Sequence, residues 1–198
     1  MKNRFTPLLL LAVGLGAFAF VSCQPSEPAK TATVAEISPD SLVKRGDYLV
    51  TTMACGDCHS PLIMGPQGPE PDPARILSGH PANLPLAAID KSAAKNWVMF
   101  NATGTAVVGP WGVSFTANLT SDPTGIGNWS EEQFARALKE GKSKGIATNR
   151  SLLPPMPWMQ YRHLNDADIK AIFAYLKSTK PVNNLVPAPI SPAELAKR

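Results

Sequence analysis

Charge is scarce in this chain: Asp, Glu, Lys and Arg make up 17% of its 198 residues, against about a quarter in an average globular protein. It has no cluster of Lys and Arg interleaved with aromatics, which argues against nucleic acid as a partner. Beyond the first residues no segment approaches the roughly 18 apolar residues that a membrane span requires. Only three cysteines are present, so a four-cysteine zinc site is excluded. No internal repeat is visible, which excludes solenoid and propeller architectures. What the chain has in quantity is proline, twenty residues, and that points to long stiff connections rather than a helix-dense bundle. Hydrophobic residues, at 44%, suffice for one compact core.

The basic start, Met1-Lys2-Asn3-Arg4, is followed by an apolar run from Pro7 to Val21, broken by glycines and alanines and ending at Ser22-Cys23. This pattern predicts an export signal over residues 1–22. It also resembles a bacterial lipoprotein signal, which implies lipidation of Cys23 and a protein anchored on the periplasmic side of a membrane. An ordinary signal peptide containing a cysteine is the alternative. Removing Lys2 and Arg4 takes the formal net charge from +4 to +2. Residues 23–37 are polar with prolines and read as a tether, 38–182 as the folded domain, and 183–198 as a proline-broken tail extended over the surface.

Ser38-Pro39 marks a helix start, with Leu42, Leu49, Val50 and Met53 on one face. Residues 61–83 hold so many Pro and Gly that they read as a stiff loop without regular structure. Val107-Val108, Gly109-Pro110-Trp111-Gly112 and Val113-Ser114-Phe115 suggest a short hairpin. Ser130 with Gln133 forms a capping-box pattern opening a helix that Gly141 ends, Trp129 being placed to staple against Phe134. Asn165 caps a last helix carrying Ile169, Ile172, Phe173 and Leu176, which Pro181 stops.

Between the first helix and the proline loop lies Cys55-Gly56-Asp57-Cys58-His59, the attachment motif of c-type haem. Two thiols on one turn reach the two vinyl groups on one side of a porphyrin, and the next residue's imidazole falls onto the iron. A thioredoxin-like dithiol needs a βαβ context that is absent. A zinc site would have to recruit His80 and His163 from loops. A bare disulfide would leave the histidine unexplained. A haem also solves a packing problem, because modest helices and proline loops bury little apolar area without a flat apolar body between them.

With these residues the chain resembles a class I cytochrome c. The resemblance rests on a helix before Cys55-Gly56-Asp57-Cys58-His59 and on a C-terminal helix with Ala171-Ile172-Phe173-Ala174-Tyr175-Leu176-Lys177. It implies an all-α fold of about three helices around one covalent haem c, with Gly46 and Val50 opposite Ile172 and Tyr175 where the terminal helices cross. Further stretches, Arg45-Gly46-Asp47-Tyr48-Leu49, Thr124-Gly125-Ile126-Gly127-Asn128-Trp129-Ser130 and Pro154-Pro155-Met156-Pro157-Trp158, are similar to haem subunits of membrane-associated alcohol and nicotinate dehydrogenases. That similarity implies an electron carrier serving a dehydrogenase, an oxidase or another cytochrome. It also implies Trp129 and Asn118 as hydrogen-bond donors to the haem propionates, a helix staple being the other reading of Trp129.

Met/His ligation suits electron transfer, and Met64, Met99, Met156 and Met159 are the candidates. Met156 is preferred for its position between the middle and last helices and for its flanking prolines; Met159 is the rival. A haem enzyme of peroxidase or thiosulfate-oxidising type, or a haem-based redox or gas sensor, are competing functions. The enzyme would need an open or exchangeable sixth position and acid/base residues above the iron, and no signalling domain accompanies the motif as a sensor would require.

Overall fold

The computed structural model describes residues 38–198. The predicted signal over 1–22, Cys23 and the tether to residue 37 lie outside the described residues.

Two long helices form the frame. Helix α1, Pro39–Thr52, starts where Ser38 accepts a hydrogen bond from the Ser41 N–H, with proline at its first position, where a missing N–H costs nothing. A short attachment turn, α2 (Cys55–His59), follows it. Helix α3, Glu131–Lys139, is capped by Ser130 and gives way to Gly141 at φ 64°. The one-turn α4, Trp158–Tyr161, leads to α5, Asp166–Ser178, capped by Asn165 accepting from the Asp168 N–H at 2.7 Å. In α3 the capping box is half made. Gln133 donates its N–H to Ser130 but sends its side chain forward to the Lys144 carbonyl at 2.8 Å.

Helices α1 and α5 cross at Gly46, as the resemblance implied. A Cβ at Gly46 would lie 2.0 Å from the Ala171 carbonyl oxygen and 2.6 Å from Tyr175 Cβ. The absence of a side chain lets the two backbones touch. Leu49, Val50, Ile169, Ala171, Ile172 and Leu176 are buried around this crossing, and Phe134 and Leu138 of α3 join the same core. Arg45 clamps the rim, its guanidinium 3.0 Å from the Asp168 carboxylate.

The expectation of an all-α domain was too narrow, for two small antiparallel sheets are present. The hairpin expected around Gly109-Pro110-Trp111-Gly112 is there, as β4 (Ala106–Gly109) paired with β5 (Gly112–Phe115), and β3 (Met99–Phe100) adds an edge. The second sheet corrects the sequence reading. Inside the supposedly irregular proline loop, β1 (Leu62–Gly65) pairs with β2 (Gly68–Pro71). Pro69 and Pro71 stand opposite Met64 and Leu62, and the Leu62 N–H points away from β2 to the Thr103 carbonyl at 3.0 Å. The prolines therefore occupy non-hydrogen-bonded positions of an edge strand, where their missing N–H is not needed.

The tail also departs from expectation. Rather than lying extended over the surface, it docks on β5. Ile190 and Val113 exchange backbone hydrogen bonds at 2.8 and 2.9 Å. A sixth helix, α6 (Pro192–Lys197), follows a full Ser191–Glu194 capping box. Ile190 and Leu195 are buried with Ala94, Val108 and Val113 in a second core.

Candidate functional site

Helix α1 ends at Met53, and Ala54 turns the chain through a left-handed conformation, φ 55°, before Cys55 opens α2. That reversal sets both thiols and the imidazole on one short turn. Cys55 and Cys58 are free and half-buried. Burial pushes the Cys55 thiol up to about 11 and raises Cys58 as well, with the Asp57 charge adding to Cys58. A thioredoxin-like nucleophile requires the opposite, a depressed pKa, so the dithiol reading loses support.

His59 is fixed from two sides. Its Nδ1 lies 2.7 Å from the Ala117 carbonyl, and its own carbonyl accepts the Gly79 N–H at 2.8 Å. A carbonyl can only accept, so Nδ1 carries the hydrogen and Nε2 keeps the lone pair that binds a metal. Burial pushes the His59 pKa down, which keeps the ring in the neutral, ligating form. Close behind it, Gly79 at φ 74° passes the 116–117 backbone; a Cβ there would lie 2.5 Å from the Thr116 oxygen. The strand-like pairing of 77–80 with 116–119 is completed by His80 N–H to Thr116 and Leu119 N–H to Leu77, at 3.0 and 2.8 Å.

The methionines separate by burial. Met64 is 80% exposed and Met159 61% exposed, and Met99 packs on the second core. Met156 packs half-buried against the main core, together with Cys55, Leu119, Trp129, Tyr161 and Leu164. These apolar side chains lean on the core yet keep open surface, a cradle that a flat apolar group would complete. The residues present therefore fit a haem: two unpaired thiols, a neutral imidazole with Nε2 free, and an incomplete apolar wall.

Trp129 lies in that wall and shares the cluster with Phe134, the staple partner. Asn118, expected at a propionate, has its side chain bonded within the protein. It is buried, its amide donates to the Val182, Asn184 and Thr124 oxygens, and its oxygen accepts from the Thr120 N–H and hydroxyl. Its side-chain amide thereby ties the tail to the core. Asn184 does similar work, bonding the Ser78 and His80 carbonyls and the Ala82 N–H. The sequence reading missed it, since nothing local distinguishes this asparagine from any other in a tail.

His80 is buried against Phe115, its Nδ1 2.9 Å from the Thr105 hydroxyl, and His163 is exposed. Among the described residues no three His, Cys, Asp or Glu side chains gather as a metal-ligand set, and His80 and His163 do not join Cys55 and Cys58 in one.

Residues 115–180 match the cytochrome c family. The chain is 45% identical over 89 residues to a nicotinate dehydrogenase subunit of Pseudomonas putida, a stretch covering 44% of this chain and 7% of that protein. It is 29% identical over 176 residues to the cytochrome c subunit of the quinone-type alcohol dehydrogenase of Gluconobacter oxydans, covering 88% of this chain and 27% of that one. With the fructose dehydrogenase cytochrome subunit of Gluconobacter japonicus it shares 31% identity over 165 residues, 82% of this chain and 26% of the relative. The chain thus spans about a quarter or less of the length of the curated relatives it matches.

Proposed function

We infer that this chain, which carries a cytochrome c domain, is a single-haem electron carrier that passes electrons between a dehydrogenase or other respiratory donor and an acceptor protein. The observation that carries this reading is the attachment turn. Cys55 and Cys58 stand free one helical turn apart, and His59 is held through Nδ1 with Nε2 free. Cys55 and Cys58 would hold a haem as thioethers, each S–H adding across one vinyl group, and His59 and Met156 would supply ligands to its iron. The haem supplies reversible one-electron chemistry when bound. The chain's own contribution is to fix the imidazole, exclude water with Leu119, Trp129 and Leu164, and keep the methionine loop closed. Its likeness to cytochrome subunits of several dehydrogenases supports a protein redox partner.

Two thioethers survive denaturation, so haem stain should remain on the chain through denaturing electrophoresis, with one haem per chain by pyridine haemochrome assay. Replacing both Cys55 and Cys58 by Ser should abolish the stained band. Stain lost from the unsubstituted protein under these conditions would refute covalent attachment.

The export and anchoring of the chain belong to the same proposal. Ser22-Cys23 supports cleavage before Cys23 and its lipidation, placing the domain on the periplasmic side of a bacterial membrane. Intact mass of the mature protein checks this. The expected chain begins at Cys23 and carries added acyl mass, and a mature chain with any other start and no acyl mass would exclude the anchor.

A further inference from the structure

If Met156 ligates the iron, its loop must be held in a fixed relation to the attachment turn. Most of the hydrogen bonds around α4 are local. Met156 N–H reaches Leu153, Trp158 N–H reaches Met156, and Gln160 and Tyr161 N–H both reach Pro157. One bond leaves the loop for the attachment segment. The Tyr161 hydroxyl donates to the Met53 carbonyl at 3.3 Å, across 108 positions of sequence. Met53 is the residue that closes α1, and the left-handed Ala54 after it launches the Cys55 turn. The phenol therefore holds the hinge from which both thiols and His59 depend. Its own helix begins immediately after Met156-Pro157.

We propose that Tyr161 is a positioning residue that latches the Met156 loop to the attachment turn and so sets how firmly the sulfur stays on the iron. The proposal rests on the reading of Met156 as ligand. A ring alone would pack against the main core, where Tyr161 lies half-buried as Cys55 and Met156 do. The hydroxyl adds a directional constraint between the segment that leads into His59 and the one that follows Met156. Burial raises the phenol's pKa, so it stays protonated and able to donate across the neutral range.

Tyr161→Phe keeps the ring and removes only the latch, which makes it the informative variant. It should retain covalent haem by stain and keep the weak far-red band of methionine-ligated ferric haem at pH 7. The pH at which that band is lost on alkalinisation should fall by about 0.7 unit, and carbon monoxide should bind the reduced protein roughly fivefold faster. Both correspond to the net worth of one hydrogen bond. Tyr175→Phe, which removes a hydroxyl at the α1–α5 crossing instead, serves as the control for general loosening. Unchanged midpoint and carbon monoxide rate in Tyr161→Phe would overturn the proposal, as would an equal shift in Tyr175→Phe. A far-red band missing from the unsubstituted, haem-stained protein overturns the methionine reading and the latch with it. That result is distinguishable because it precedes any substitution.

Discussion

Met156→Ala is expected to erase the far-red charge-transfer band, lower the reduction potential and open the iron to carbon monoxide, while Met159→Ala leaves all three unchanged. Burial and stiffness both carry this expectation. Met156 packs half-buried against the main core, whereas Met159, one turn on, is 61% exposed. Pro154, Pro155 and Pro157 fix φ at three positions around Met156 and restrict their predecessors, so little entropy is lost in presenting the thioether. The loop is also tied to the hairpin, because the Ser114 hydroxyl donates to the Pro154 carbonyl at 2.7 Å. Visible absorption of the oxidised protein from roughly neutral to alkaline pH, together with carbon monoxide binding to the reduced form, decides the matter. A band that persists in Met156→Ala and vanishes in Met159→Ala would reverse the assignment.

The second large effect is on stability. Gly46→Ala should destabilise the domain by about 3 kcal/mol, and Gly46→Val should leave little folded protein. Helix propensity alone predicts the opposite sign, since alanine is favoured over glycine by about 1 kcal/mol in a helix interior. Packing wins here because the added carbon would meet the Ala171 carbonyl oxygen at 2.0 Å, a backbone atom that moves only if α1 and α5 separate. Overpacking a tight core costs typically ~1–3 kcal/mol, more where backbone must shift. Against a total stability of roughly 5–15 kcal/mol that is a large share. In thermal denaturation followed by helical circular dichroism, Gly46→Ala should melt about 10 °C lower, at roughly 2–4 °C per kcal/mol for a domain of this size. A variant that melts at or above the parent would show that the helices do not need this approach.

Where the chain announces itself locally, the sequence could be read. Ser38, Ser130 and Asn165 each accept from the expected backbone N–H, because a cap is a contact over three residues and its chemistry is visible in the letters. The attachment turn and the Gly109–Gly112 hairpin were legible for the same reason. Helix α6 could have been found too, since Ser191-Pro192-Ala193-Glu194 is a capping box with proline at the first position. The surrounding prolines hid it. The β1–β2 pairing was hidden by a rule that holds on average and fails on an edge strand, where proline at alternate positions removes no hydrogen bond. Asn118 was beyond reach of any local pattern. Its partners Val182 and Asn184 lie more than sixty positions away, and its role exists only once the tail has folded back.

That return of the tail bears on the order in which the chain is made. Cys55 and Cys58 emerge before the parts that fix their surroundings: the Ala117 carbonyl that orients His59, the Met156 loop, and later still Asn184 and Ile190, which lock the 78–82 and 113 backbones in place. A polypeptide appearing amino end first keeps its two thiols reachable until those downstream pieces arrive. The architecture thus leaves a window in which the thioether attachment proposed above can be made on an open chain, before the 184–190 segment ties down the 78–82 and 113 backbones.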